Sequence, residues 1–127
     1  MISYAGRRAV RKIGTVRLPG WWTGMILVDA LCTILPERRV DFLSEVRKIV
    51  PVVRGEAGCS RYELLSDSSD AGIFHFIEAW ESHEHLEEHL AQPHMQEYFA
   101  RTGPCHSCPT LLTIYEIGSS RSITIGE

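Results

Sequence analysis

Asp67–Gly72 (DSSDAG) separates two strand-like runs of similar length, Cys59–Ser66 and Ile73–Trp80. Asp and Ser side chains bond the backbone of their own turn, and Gly takes conformations closed to other residues. The chain must therefore double back here, and the two runs pair as an antiparallel hairpin. This constrains the rest of the fold, because the helices and strands on either side have to be built around one fixed hairpin.

Upstream, Met25–Leu35 (MILVDALCTIL) is apolar, rich in β-branched residues and of strand length. Pro36 suits the first turn of a helix, where its missing N–H costs nothing. Phe42, Leu43, Val46, Ile49, Val50 and Val53 then recur at helical spacing, with Arg38, Arg39, Arg47 and Lys48 largely between them. Pro51 should kink or tighten the end of that helix, and Gly55 or Gly58 should stop it. Downstream, the pattern predicts a helix over Ser82–Ala91 and a short one over Pro93–Thr102. A loop over Gly103–Pro109 and a last strand over Thr110–Ile117 complete it.

The order β-α-β-β-α-β is a split β-α-β, ferredoxin-like α+β layout with one antiparallel sheet. Residues 25–118 form this domain. Residues 1–24 read as an appended or upstream-translated extension and 119–127 as a polar tail with a weak apolar run. In the third strand Phe74, Phe76 and Trp80 point one way, while Ile77 and Ala79 point the other. A sheet apolar on both faces with helices on only one needs a second partner. The expectation is a homodimer packed sheet against sheet, with a pocket inside each protomer between sheet and helices.

Charge narrows the function classes. Five basic residues precede Asp29 with no acid among them, so the formal net of −3 becomes −8 beyond that point. An acidic body repels phosphate backbones, which argues against nucleic acid as a partner. No uninterrupted apolar run approaches the roughly 18 residues of a membrane span. Cys32 and Cys59 sit in strand-like runs, where a free thiol behaves as a small hydrophobe. With no secretory leader pattern, a reduced, cytoplasmic chain is expected.

Residues with chemical potential concentrate between Phe76 and Phe99 (FIEAWESHEHLEEHLAQPHMQEYF). Titratable groups alternate there with large aromatic and aliphatic ones, the mixture that a pocket needs to hold a flat organic molecule and move its protons. Glu78 and Trp80 share one face of a strand end. Leu86 and Leu90 define the buried stripe of the following helix, with His83 and His89 flanking it and His85 turned toward solvent. His94 opens the next helix, where it can face backbone N–H groups or cap the end. His85 and His89 are one turn apart, but no further ligand is in evidence and the H-E-x-x-H spacing is absent, so no metal site is expected. Cys105-His106-Ser107-Cys108 is a lone C-x-x-C and reads as a plain loop.

Two blocks go beyond what a fold alone would dictate. One runs from Ile49-Val50-Pro51 through Glu56-x-Gly58-Cys59 to Tyr62. The other runs from Ile77-Glu78-x-Trp80-Glu81-Ser82 through His85-Leu86-Glu87-x-His89-Leu90 to Pro93-His94-Met95. From Met25 to Ile117 the chain resembles the quinol monooxygenase branch of the antibiotic biosynthesis monooxygenase family. His75 and the CHSC loop depart from that pattern. The resemblance implies a dimeric α/β barrel that oxidises a hydroquinone or polycyclic phenol to a quinone with O₂, using no cofactor. It implies His89 as base or substrate-orienting donor, with His94 and Glu78 as polar neighbours in the catalytic group. Trp80, Tyr62, Phe76, Met95, Tyr98 and Phe99 would form the walls. Haem-degrading relatives carry a Trp and a His where this chain has His89 and Phe99, which counts against that branch. An isomerase of small carbonyl compounds and a non-catalytic dimeric module for aromatic ligands would use the same residues.

Overall fold

The computed structural model describes residues 20–126, so most of the N-terminal extension and Glu127 lie outside the described residues. The elements follow in the order β1 (Ile26–Thr33), a 3-10 turn (Pro36–Arg38), α1 (Arg39–Arg54), β2 (Cys59–Ser66) and β3 (Ile73–Trp80). After them come α2 (His83–Ala91), α3 (Pro93–Thr102), a 3-10 turn (Gly103–Cys105) and β4 (Leu111–Glu116). The four strands make one antiparallel sheet in the order β2-β3-β1-β4. This is the ferredoxin-like arrangement that the element order predicts.

The hairpin turn is held as its composition requires. Asp67 Oδ1 accepts bonds from Ser69 N, Ser69 Oγ and Asp70 N, at 2.8, 2.7 and 3.1 Å, and Gly72 N donates to Asp70 Oδ1 at 2.9 Å. Pairing of Tyr62 with Glu78 and Leu64 with Phe76 then sets the register. Because β1 pairs Val28 with Glu78, Ala30 with Phe76 and Cys32 with Phe74, the same alternation runs across the sheet. Ile26, Val28, Ala30, Cys32, Phe74, Phe76, Glu78 and Trp80 are all buried on the helix side. Phe42, Val46, Ile49 and Val53 of α1 close over them, as their helical spacing requires.

Pro51 does not break α1. The helix runs one turn further, and its end is tightened by Gly55 N to Val52 O at 3.1 Å and Glu56 N to Val53 O at 2.9 Å. Gly58 then takes φ +79°, and a Cβ there would lie 2.3 Å from ring carbons of His85. His85 cannot easily yield, because its Nδ1 lies 2.7 Å from the Ser82 hydroxyl that caps α2. Gly58→Ala should therefore cost about 2 kcal/mol or more, from the left-handed backbone and the clash together. Chemical denaturation of the two proteins measures it.

The other sheet face carries Leu27, Leu31, Ile73, Ile77 and Ala79, all only partly covered, with Leu65, Leu111 and Tyr115 exposed. It is not wholly apolar. Asp29 Oδ1 and His75 Nδ1 meet at 2.7 Å in its middle, and Arg61 pairs with Glu63 along β2. The segment expected to be a plain loop is also more ordered. Gly103–Cys105 is a 3-10 turn, Ile34 bridges to His106, and Ser107 N donates to Thr33 O at 2.9 Å. The C-x-x-C stretch is thus pinned beside the end of β1, and all four cysteines are free.

Candidate active site

The helix layer leaves a cavity of about 560 Å³ against the sheet. Its floor is set by small side chains on β1, Ala30 and Cys32, beside Phe76 and Glu78 of β3 and Tyr62 of β2. Its roof comes from His89 and Leu90 of α2 and Met95, Tyr98, Phe99 and Thr102 of α3. His106, Pro109, Thr110 and Leu112 finish the side next to β4. A volume of this size is ordinary for a small-molecule site, and the lining is apolar and aromatic with a few polar groups.

Seven residues expected from the sequence line this space: His89, Glu78, Tyr62, Phe76, Met95, Tyr98 and Phe99. Two do not. Trp80 is fully buried behind the wall, its ring 4.6 Å from that of His89, and its Nε1 donates to Glu78 Oε1 at 2.9 Å. It shapes the two polar residues from outside the cavity. His94 neither caps α3 nor lines the cavity; its Nε2 lies 2.8 Å from Glu56 Oε2.

Glu56 is the residue that sequence reasoning left off the site. It lies in the tight connection after α1, and its two oxygens stand 3.0 and 3.1 Å from His89 Nδ1. One carboxylate therefore joins a fully buried imidazole to the partly exposed one of His94. Burial alone would raise the Glu56 pKa, but hydrogen bonds from His89 and His94 outweigh it and hold the carboxyl below its usual range. An ionised carboxylate can only accept, so His89 Nδ1 carries hydrogen and a neutral ring keeps its lone pair on Nε2. The sequence signal for Glu56 was its place in the Glu56-x-Gly58-Cys59 block; nothing in the local pattern marked it as a partner of His89.

Glu78 has the opposite environment. Burial pushes its pKa up to about 7, against the pull of His89 and the hydrogen bond from Trp80. At neutral pH it is therefore poised to give or take a proton. Sign matters for stability: a carboxyl with a raised folded pKa favours the fold when protonated, and this advantage fades between pH 4.5 and about 7. The melting temperature should fall over that window and Glu78→Gln should flatten the fall, as calorimetry across pH would show. Glu56 acts in the other sense, its contribution being lost only as pH drops through its lowered pKa.

The remaining rings form a connected wall. Tyr62 stacks on Phe76 at 5.2 Å and meets His89 edge-on at 5.6 Å, and Tyr98 touches Phe76 and Phe99 at 6.5 and 5.9 Å. Burial raises the Tyr62 and Tyr98 phenols well above their usual range, so both stay protonated. Cys32 is likewise pushed up to about 11 by burial, which makes it a thiol and not a nucleophile. Among the described residues, no group of three or more His, Cys, Asp and Glu side chains is placed to hold a metal ion. No helix among them is long and apolar enough to cross a membrane.

A ferredoxin-like α+β domain with an aromatic-lined internal cavity and a buried His–Glu pair is thus defined by its own geometry. Residues 25–101 match the antibiotic biosynthesis monooxygenase family, and the chain belongs to that family. The Escherichia coli (strain K12) protein named "Probable quinol monooxygenase YgiN" is 41% identical over 68 residues, which span 47% of this chain and 65% of that one. The solved structure of Rv0793 from Mycobacterium tuberculosis covers 77% of this chain and 99% of its own, at 24% identity and a TM-score of 0.72. That of PA3566 from Pseudomonas aeruginosa covers 79% and 100%, at 24% identity and a TM-score of 0.69. These two structures share the fold.

Proposed function

We propose that this chain is a monooxygenase that converts a polycyclic phenol or hydroquinone to a quinone with O₂, using no cofactor. The observation that carries the reading is the buried Glu56–His89 pair, which presents a base to an aromatic-lined cavity. A phenol is a poor electron donor until it loses its proton, and His89 Nε2 takes that proton. The phenolate gives one electron to O₂, and the radical pair recombines as a peroxide on the ring carbon. His89 returns its proton to the peroxide. Loss of that carbon's hydrogen as a proton to Glu78, with departure of the distal oxygen as water, leaves a carbonyl. One phenol and one O₂ yield one quinone and one water. Glu78 serves both halves of the last step, giving a proton to the leaving hydroxide and recovering one from carbon. The apolar walls keep bulk water from intercepting the radical pair.

His94 acts one step removed, as the partly exposed end of the His94–Glu56–His89 chain. The resemblance of its relatives' names to this chemistry supports the reading at the level of the family. Metal-stripped protein should consume oxygen above the autoxidation rate with naphthohydroquinones or anthrones, and no uptake across such a panel would move the reading to a ligand-binding or isomerase role.

The working unit in this reading is a homodimer packed through the open sheet face. That face exposes more large apolar side chains than a lone sheet in water favours, among them Leu65, Leu111 and Tyr115. Ile77→Lys should yield a monomer by sedimentation, where the unchanged protein sediments as a dimer. A monomeric unchanged protein would contradict the dimer.

A further inference from the structure

Strand pairing fixes how the open sheet face is laid out. Ile77 lies between Glu63 of β2 and Asp29 of β1, and His75 lies between Leu65 and Leu31 in the adjacent row. On β4, Thr113 stands beside Asp29 and Leu111 beside Leu31. The centre of the face is therefore a square of four side chains, with Asp29 and His75 on one diagonal and Ile77 and Leu31 on the other. Asp29 and His75 are both partly exposed, and their 2.7 Å contact uses Oδ1 and Nδ1. Asp29 Oδ2 and His75 Nε2 take no part in it. Arg61 and Glu63, the other charged residues that these strands place on the face, pair with each other at the β2 edge.

We infer that a second copy of this chain covers the face with its two-fold axis along the Ile77–Leu31 diagonal, so that Asp29 meets the partner's His75 and His75 meets the partner's Asp29. This rests on the homodimer proposed above and locates its axis. In a two-fold interface every contact occurs twice, once in each sense, so a patch fits its own copy only where it is self-complementary. An acid and a base placed symmetrically about a diagonal meet that condition. Both ring nitrogens of an imidazolium donate, Nδ1 to the protomer's own carboxylate and Nε2 to the partner's, which closes a ring of four alternating charges. A wholly apolar occupant would bury the pair with those two atoms unsatisfied, a cost that a second copy avoids. On the axis, Ile77 and Leu31 each pack against their own copies. Because the diagonal runs at about 45° to the strands, the strands of the two sheets cross at about 90°, the orthogonal mode of sheet packing.

Asp29→Lys puts two cations on the charged diagonal and His75→Asp puts two anions there. The test is sedimentation of each variant alone and of an equimolar mixture. Each alone should dimerise about 100-fold more weakly than the unchanged protein, because like charges are forced together. The mixture should restore the dimer, and native mass spectrometry should find one copy of each variant in it. Should either variant fail to fold, Asp29→Asn keeps the shape and should weaken the dimer about tenfold by removing the charge. If the single variants dimerise like the unchanged protein, if the mixture stays monomeric, or if Asp29→Asn changes nothing, the inference is overturned. An unchanged protein that is itself monomeric overturns the homodimer and the inference together. A dimer lost in Ile77→Lys but kept in the charge variants leaves the homodimer standing and removes only its axis.

Discussion

His89→Ala should lower substrate-dependent oxygen uptake by about 10²- to 10⁴-fold, the usual worth of a placed general base. The loss should fall on kcat, with KM changed only a few-fold, because the walls that hold the ring remain. His89 is fully buried against Trp80 and Tyr62, so its removal also opens space in the wall. His89→Gln is the control for that. It fills most of the volume and can still accept a bond, yet it cannot take a proton, so its activity should stay as low as that of the alanine variant. Recovery of activity in the glutamine variant would mean that His89 fills and orients, and that the base lies elsewhere.

Glu56→Gln should cost on the order of 10² in kcat or more, although Glu56 is outside the cavity lining. Its carboxylate accepts from His89 Nδ1, which fixes the lone pair on Nε2. A glutamine amide can donate to Nδ1 and so favour the opposite tautomer, the error that costs about 10⁴ when the carboxylate of a Ser-His-Asp triad is amidated. Here the penalty should be smaller, since the substrate phenol can still be oriented by Glu78. His94 loses its partner in the same variant. The pH–rate profile is the discriminating readout, for a purely structural glutamate would lower activity uniformly, whereas loss of the tautomer lock should displace the alkaline plateau. Glu56→Asp, which keeps the charge on a shorter arm, should recover part of the rate.

Much of this is legible in the sequence, for a physical reason. The hairpin declared itself because Asp67, Asp70 and Gly72 act locally, and Cys59–Ser66 and Ile73–Trp80 form with the bounds the turn implies. The α1 face followed from spacing, and Pro93 opened α3 because its missing N–H fits a first turn. Period-2 alternation puts Phe76 and Glu78 on one face of β3, whereas Met95 and Tyr98 are named as walls by the family resemblance; all four line the cavity.

What local pattern does not carry is long-range. Glu56 and His89 are 33 positions apart, and an acid in a short connection reads as solvated until the sheet and helices bring the two together. His94 reads as facing backbone N–H groups or capping its helix, because the sequence shows that helix and not the Glu56 carboxylate opposite. Trp80 shares the inward face of Phe76, yet its ring packs 4.6 Å from that of His89, outside the cavity lining, a distinction between two layers of one face that alternation cannot make. His106 lies in the C-x-x-C stretch, which reads as a loop, while in the fold it bridges to Ile34, its Nδ1 lies 2.8 Å from the Thr102 carbonyl, and it lines the cavity.

Insertion of one oxygen atom is read out by isotopically labelled dioxygen. A single turnover of a polycyclic phenol under labelled O₂ should give a quinone that carries one labelled oxygen, with the second label in water. A quinone without label, or product formed at the same rate in the absence of O₂, would contradict the account.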